Sequence, residues 1–266
     1  MEWLIVYVAV GAAAGLLAGL LGVGGGVVVV PCLAFAFWAQ GMADRVVMPL
    51  ALGTSLAAIV FTASASVRAH HGRGAVRWPL VRALAPGLAV GAWGGAWGAT
   101  RLSSATLTAV FAGFLWVVAT SLVRDPSPRP ARELPGTGSL VAVGGVIGFV
   151  SGVVGIGGGT LSVPYLLRHR VPIHHAIGTA AAAGLPIAAA GAAGYVMAGY
   201  WADGLPSQSA GFVHLPALAG VAVSSMLTAP LGAGLAHRMP TDRLKIVFAG
   251  LLYVVGAKLA WSTWSP

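Results

Sequence analysis

Two stretches half a chain apart carry one pattern. Residues 15–31 read GLLAGLLGVGGGVVVVP and residues 148–164 read GFVSGVVGIGGGTLSVP. The offset is 133 residues throughout, and every glycine and the closing proline coincide. Each copy sets three consecutive glycines inside an apolar run. Glycine costs a helix about 1 kcal/mol per residue relative to alanine, so a triplet is a break in the helix. A chain that breaks its helices twice at equivalent places is expected to fold as two related halves.

The medium follows from composition. Hydrophobic residues make up 58% of the chain and charged residues 8%. A soluble domain carries about a quarter charged residues, so the class is a polytopic membrane protein. Apolar runs of about 20 residues recur, each able to cross roughly 30 Å of hydrocarbon as a helix. They are continuous rather than alternating, which excludes a barrel. The net charge of +9 does not imply nucleic acid here. Basic residues in short loops hold those loops on the cytoplasmic side. The lone Cys32 excludes an intramolecular disulfide and a multi-cysteine metal site. Residues 3–21 lack a basic leading segment and read as a retained span rather than a signal peptide.

Ten membrane elements are expected: 3–21, 27–40, 46–67, 82–100 and 104–123, then 139–155, 160–168, 174–200, 211–236 and 244–262. The first repeat occupies residues 1–123, a proline-rich cytoplasmic linker 124–138, and the second repeat 139–266. Gly53-Thr54-Ser55 answers Gly178-Thr179-Ala180, and Phe111–Leu115 answers Phe248–Leu252. Residues 27–40 and 160–168 are too short for ordinary spans at 1.5 Å per residue and read as re-entrant or half-helices.

Charge sets the orientation. If each glycine-broken pair goes in and returns, each half has five elements and the second is inverted. Twelve basic residues then lie inside, and only Arg45, Arg101 and Lys258 lie outside. If each broken pair is one interrupted span, the split is seven to eight. The positive-inside rule favours inversion, with both termini outside. The fold class is therefore all-α and polytopic, with two inverted-topology repeats and glycine-broken half-helices. Interrupted segments at matching places in inverted halves point to a transporter site.

These residues carry a resemblance. The doubled Gly-φ-Gly-Gly-Gly…Pro segments at Gly22–Pro31 and Gly155–Pro164, with Gly53-Thr54-Ser55, resemble the sulfite exporter TauE/SafE family, also called the 4-toluene sulfonate uptake permease family. The resemblance spans about residues 4–262. It implies a secondary transporter of sulfur-containing oxyanions, such as sulfite or sulfoacetate, in the bacterial inner membrane. One departure is Ala180 where the first half has Ser55.

The expected chemistry is anion binding without a buried cation. A half-helix that starts inside the protein points backbone N–H groups and a positive dipole end at the interior. The candidate substrate-binding residues are Gly24, Gly25, Gly26, Thr54, Ser55, Gly157, Gly158, Gly159, Thr160, Ser162 and Thr179. Gly91, Gly94 and Gly95 read instead as helix-packing positions. No Walker loop is present, since neither lysine follows glycine, and no dinucleotide fingerprint. No cofactor and no metal are expected. His70-His71 reads as solvated, His174-His175 as a cytoplasmic helix start, and His214 and His237 as interfacial residues. Trp93 and Trp97 read as lipid-facing or packing residues. Asp44, Asp203 and Asp242 fall in loops and no carboxylate sits mid-span, so a carboxylate ion relay has no parts here. This favours anion export without coupling. The alternatives are an anion channel, an importer of another small anion and, more remotely, a membrane-embedded enzyme. The expected partners are a small anion and the bilayer, with a homodimer allowed and no nucleic acid.

Overall fold

The computed structural model describes residues 2–21, 25–124, 133–236 and 241–262. The chain forms ten helices among these residues. The first half gives α1 (Glu2–Leu21), α2 (Gly26–Ala39), α3 (Asp44–Gly72), α4 (Trp78–Ala99) and α5 (Ser104–Val123). The second gives α6 (Thr137–Val154), α7 (Gly159–Arg168), α8 (Ile173–Gly199), α9 (Leu215–Ala236) and α10 (Thr241–Ser262). All ten expected elements are present as helices, with ends within five residues. The linker lies mostly outside the described residues.

The ninth element differs. Instead of a helix from residue 211, a two-stranded antiparallel hairpin, β1 (Ser209–Ala210) and β2 (Val213–His214), precedes α9. Gly211 turns it with φ +53°, a left-handed conformation that glycine takes without strain. The acidic residues also move slightly. Asp44 and Asp242 stand in the first two positions of α3 and α10 rather than in loops.

Among the described residues, α3, α5, α6 and α8 are long and apolar enough to cross a membrane. Shorter apolar helices run Trp3–Leu17, Gly26–Ala39, Leu215–Leu231 and Ile246–Trp261. The protein is a multi-pass membrane protein. α4 has 22 residues, but its glycines, tryptophans and Arg82 dilute its hydropathy.

Packing follows the repeat. α1 lies along α9, and its counterpart α6 lies along α4. α3 packs on its own counterpart α8, and α5 on α10. Exchanging the halves therefore reproduces the main helix pairs. Two of these crossings are seated on small residues. A Cβ at Gly91 or Gly95 would overlap backbone of α6, and one at Gly148 or Gly152 backbone of α4. Gly11 and Gly15 bring α1 equally close to α9. Membrane helices have no hydrophobic drive to associate within lipid, so close backbone approach through small residues supplies the attraction. Gly94 differs from its neighbours, since a side chain there would meet open space. Trp93 and Trp97 stack at 5.7 Å, with Trp93 exposed on the surface.

Candidate functional site

The two short helices α2 and α7 start at equivalent glycines. α2 begins after Gly25 (φ −66°, ψ −18°) and α7 after Gly158 (φ −64°, ψ −19°). Neither cap receives a side-chain hydrogen bond. The Gly25 carbonyl accepts from the Val28 and Val29 N–H groups, and the Gly158 carbonyl from the Ser162 N–H. The first N–H groups of each helix lie outside this ladder.

The two breaks meet. A Cβ at Gly26 would stand 2.8 Å from the Gly155 carbonyl oxygen and 3.0 Å from the Ile156 Cα. Gly155 ends α6 with φ +68°, a left-handed cap that glycine adopts at little cost. Ile59 of α3 sits between the breaks, 3.2 Å from the Gly26 position and 3.3 Å from that of Gly157. Ser55, one turn earlier on α3, donates from Oγ to the Gly155 carbonyl at 2.9 Å. The first half thus holds the second break in place through Ile59 and Ser55.

The threonines have a defined structural partner. Thr54 Oγ1 accepts from the His214 N–H at 2.9 Å, and Thr179 Oγ1 from the Arg77 N–H at 3.0 Å. Beside each, a glycine lets the same incoming loop approach. Gly53 lies against the Phe212 backbone, and Gly178 against the Ala75 backbone. Arg77 immediately precedes α4, and His214 immediately precedes α9. The Gly-Thr pair is therefore a seat for the chain entering the next helix, built identically in both halves. Both threonines are fully buried.

A cavity of about 30 Å³ adjoins the first break, between α1, α2, α3 and α9. Gly25 and Ser55 line it, with Val29, Ile59, Thr62 and Ser225. Among the described residues, no charged side chain lines it. The second break is closed by packing. A Cβ at Gly158 would stand 3.1 Å from the Gly184 N and 3.2 Å from the Ala180 carbonyl oxygen. Ser162 in the first turn of α7 is buried, and its Oγ has no hydrogen-bond partner among the described residues. Gly159 and Thr160 open the same turn, both half-buried. Gly24 lies outside the described residues, as does His237.

Sequence reading missed Ile59, Thr62 and Ser225. Ser224-Ser225 was visible as a polar pair in the apolar run of α9, but its depth was not. His214 is a correction. It is buried rather than interfacial, ends β2 rather than lying in the helix, and packs edge-on against Tyr7 (5.7 Å) and Phe37 (5.4 Å). The burial comes from the hairpin folding back to its seat on Thr54. His71 is also not merely solvated, since its Nδ1 accepts from the Trp78 indole N–H at 3.2 Å. His174 is exposed, while the His175 ring lies 3.2 Å from the Ala75 carbonyl oxygen.

The profile described as Sulfite exporter TauE/SafE matches residues 7–259, nearly the whole chain. The chain belongs to the sulfite exporter TauE/SafE family. A Haemophilus influenzae relative, a probable membrane transporter protein, is 34% identical over 94% of this chain and 95% of its own length. A probable membrane transporter protein of Methanocaldococcus jannaschii is 26% identical over 93% of this chain and 91% of its own. A Bacillus subtilis relative described in the same words is 25% identical over 87% and 89%. No solved structure matches. Membership of the TauE/SafE family and these relatives make the protein a membrane transporter by kinship.

Proposed function

We propose that this protein is a secondary transporter that exports a small sulfur-containing oxyanion, sulfite or an organosulfonate, across the bacterial inner membrane. Residues 1–123 and 139–266 act as inverted halves, joined by a cytoplasmic linker, with both termini outside. The observation that carries this reading is the contact of Gly26 with Gly155 beside a cavity. It brings together two glycine breaks that arose 133 residues apart. The start of α2 presents N–H groups and a positive dipole end to the anion.

The driving force is electrical. An inside-negative potential is worth roughly 2.3 kcal/mol per charge per 100 mV, which expels an anion without a coupling ion. Among the described residues the carboxylates stand at helix starts or between helices, which supports uncoupled export. Purified protein in proteoliposomes tests the reading with sulfite, sulfoacetate, taurine, thiosulfate and sulfate as substrates. Saturable efflux of at least one of the sulfur oxyanions, accelerated by an imposed potential of the right sign, is expected. Flux only under a proton or sodium gradient overturns the uncoupled mechanism. Unsaturable conduction makes the protein a channel, and no flux of any anion overturns the proposal.

A further inference from the structure

The cavity at the first break has a chemistry of its own that narrows the substrate. Three hydroxyls line it, Ser55, Thr62 and Ser225. Each has one proton and a backbone carbonyl within reach to take it. Ser55 donates to Gly155 at 2.9 Å, Ser225 to Ala222 at 3.2 Å and Thr62 to Ile59 at 3.3 Å. A hydroxyl whose proton is committed offers only lone pairs. The hydroxyl lining is thus a set of acceptors, whereas an oxyanion asks for donors.

Charge points the same way. Among the described residues, no cationic side chain lines the cavity. Lys258 of α10 sits elsewhere, over the Phe35 ring at 4.8 Å. Moving an ion out of water into a weakly polar site costs a Born energy, which grows with the square of the charge. Without a counter-charge, a dianion is penalised far more than a monoanion. The remaining donors, backbone N–H groups at the start of α2, suit one negative charge.

We infer that the cavity selects a singly charged oxyanion that carries its own hydrogen-bond donor, hydrogen sulfite rather than sulfite. The anionic oxygens face the start of α2, and the substrate's O–H is accepted by Ser225 or Thr62. The proton travels on the substrate, so no side chain titrates and each turnover moves one negative charge. This rests on the anion-transport reading above and specifies the form of the substrate.

Binding to the purified full chain tests it. Total sulfite is titrated at pH values on both sides of its second ionisation. Methanesulfonate serves as a monoanion without a donor, and sulfate as a dianion. Apparent sulfite affinity is expected to fall about tenfold per pH unit once the hydrogen form is the minor species. Methanesulfonate is expected to bind more weakly with no pH dependence, and sulfate more weakly still. Ser225→Ala is expected to weaken hydrogen sulfite about 5- to 10-fold, and more than it weakens methanesulfonate. Sulfite affinity that is flat or rises with pH overturns the inference, as does equal weakening of both ligands by Ser225→Ala. If Ser225→Ala does not fold, the wild-type pH titration decides alone. If sulfate binds best, only this inference fails. If no oxyanion binds at any pH, the transport reading fails with it.

Discussion

Thr54 and Thr179 each accept one backbone N–H from a chain segment more than a hundred residues away. Both hydroxyls are fully buried. Removing such an acceptor leaves a buried donor unpaired, which costs about 1–3 kcal/mol. Thr54→Val and Thr179→Val are therefore expected to lower stability by that amount, while Thr54→Ser and Thr179→Ser lose much less. Thermal unfolding in detergent measures the difference. Sequence singled out these residues for a sound reason, because the Gly-Thr pair recurs, but the nearest partner of a hydroxyl cannot be read from spacing. The repeat itself was informative at another level. Ser55 has no counterpart at position 180, and Ser55 is the residue that reaches across to Gly155. The hydroxyl that breaks the symmetry of the sequence sits on the side where the cavity is.

At the scale of elements, most of the fold was legible. Apolar runs marked the helices, and the glycine triplets marked the starts of α2 and α7 to within one residue. The hairpin before α9 was not legible. Gly211-Phe212-Val213 reads as the apolar start of the helix, but the Gly211 turn and the seat on Thr54 hold it in the hairpin. Glycine packing was legible as a class but not residue by residue. Gly91 is filled by the Gly145 backbone, while Gly94 faces open space. Gly91→Leu is expected to part α4 from α6 and cost about 1–3 kcal/mol or more, with Gly94→Leu nearly neutral by the same unfolding assay. The contact of the two breaks is tighter. Gly26→Val places branched atoms where the Gly155 carbonyl already stands. It is expected to cut flux at least about tenfold, equivalent to roughly 1.4 kcal/mol, in protein that still elutes as a single species.

For the whole molecule, the exchange of α1·α9 with α6·α4 relates the halves, and the charge of the short loops carries the proposed orientation. In a Cys32→Ala background, Ser207→Cys lies in the segment before β1 and Arg73→Cys in the segment before α4. A membrane-impermeant maleimide added to intact cells is expected to label Ser207→Cys, and Arg73→Cys only after permeabilisation. The reverse pattern contradicts the proposed orientation. Sequence could relate the halves through their glycines and loop charges. It could not show how each break would be packed, because that depends on contacts such as Gly158 against Gly184. The central claim is that an oxyanion is held where the two breaks converge. Selenite, the heavier analogue of sulfite, scatters anomalously, and a structure of the protein with selenite bound places the anion directly. The account predicts selenium between Gly25, Ser55 and Ser225, against the start of α2. Selenium at another position, with the cavity vacant under saturating selenite, contradicts it.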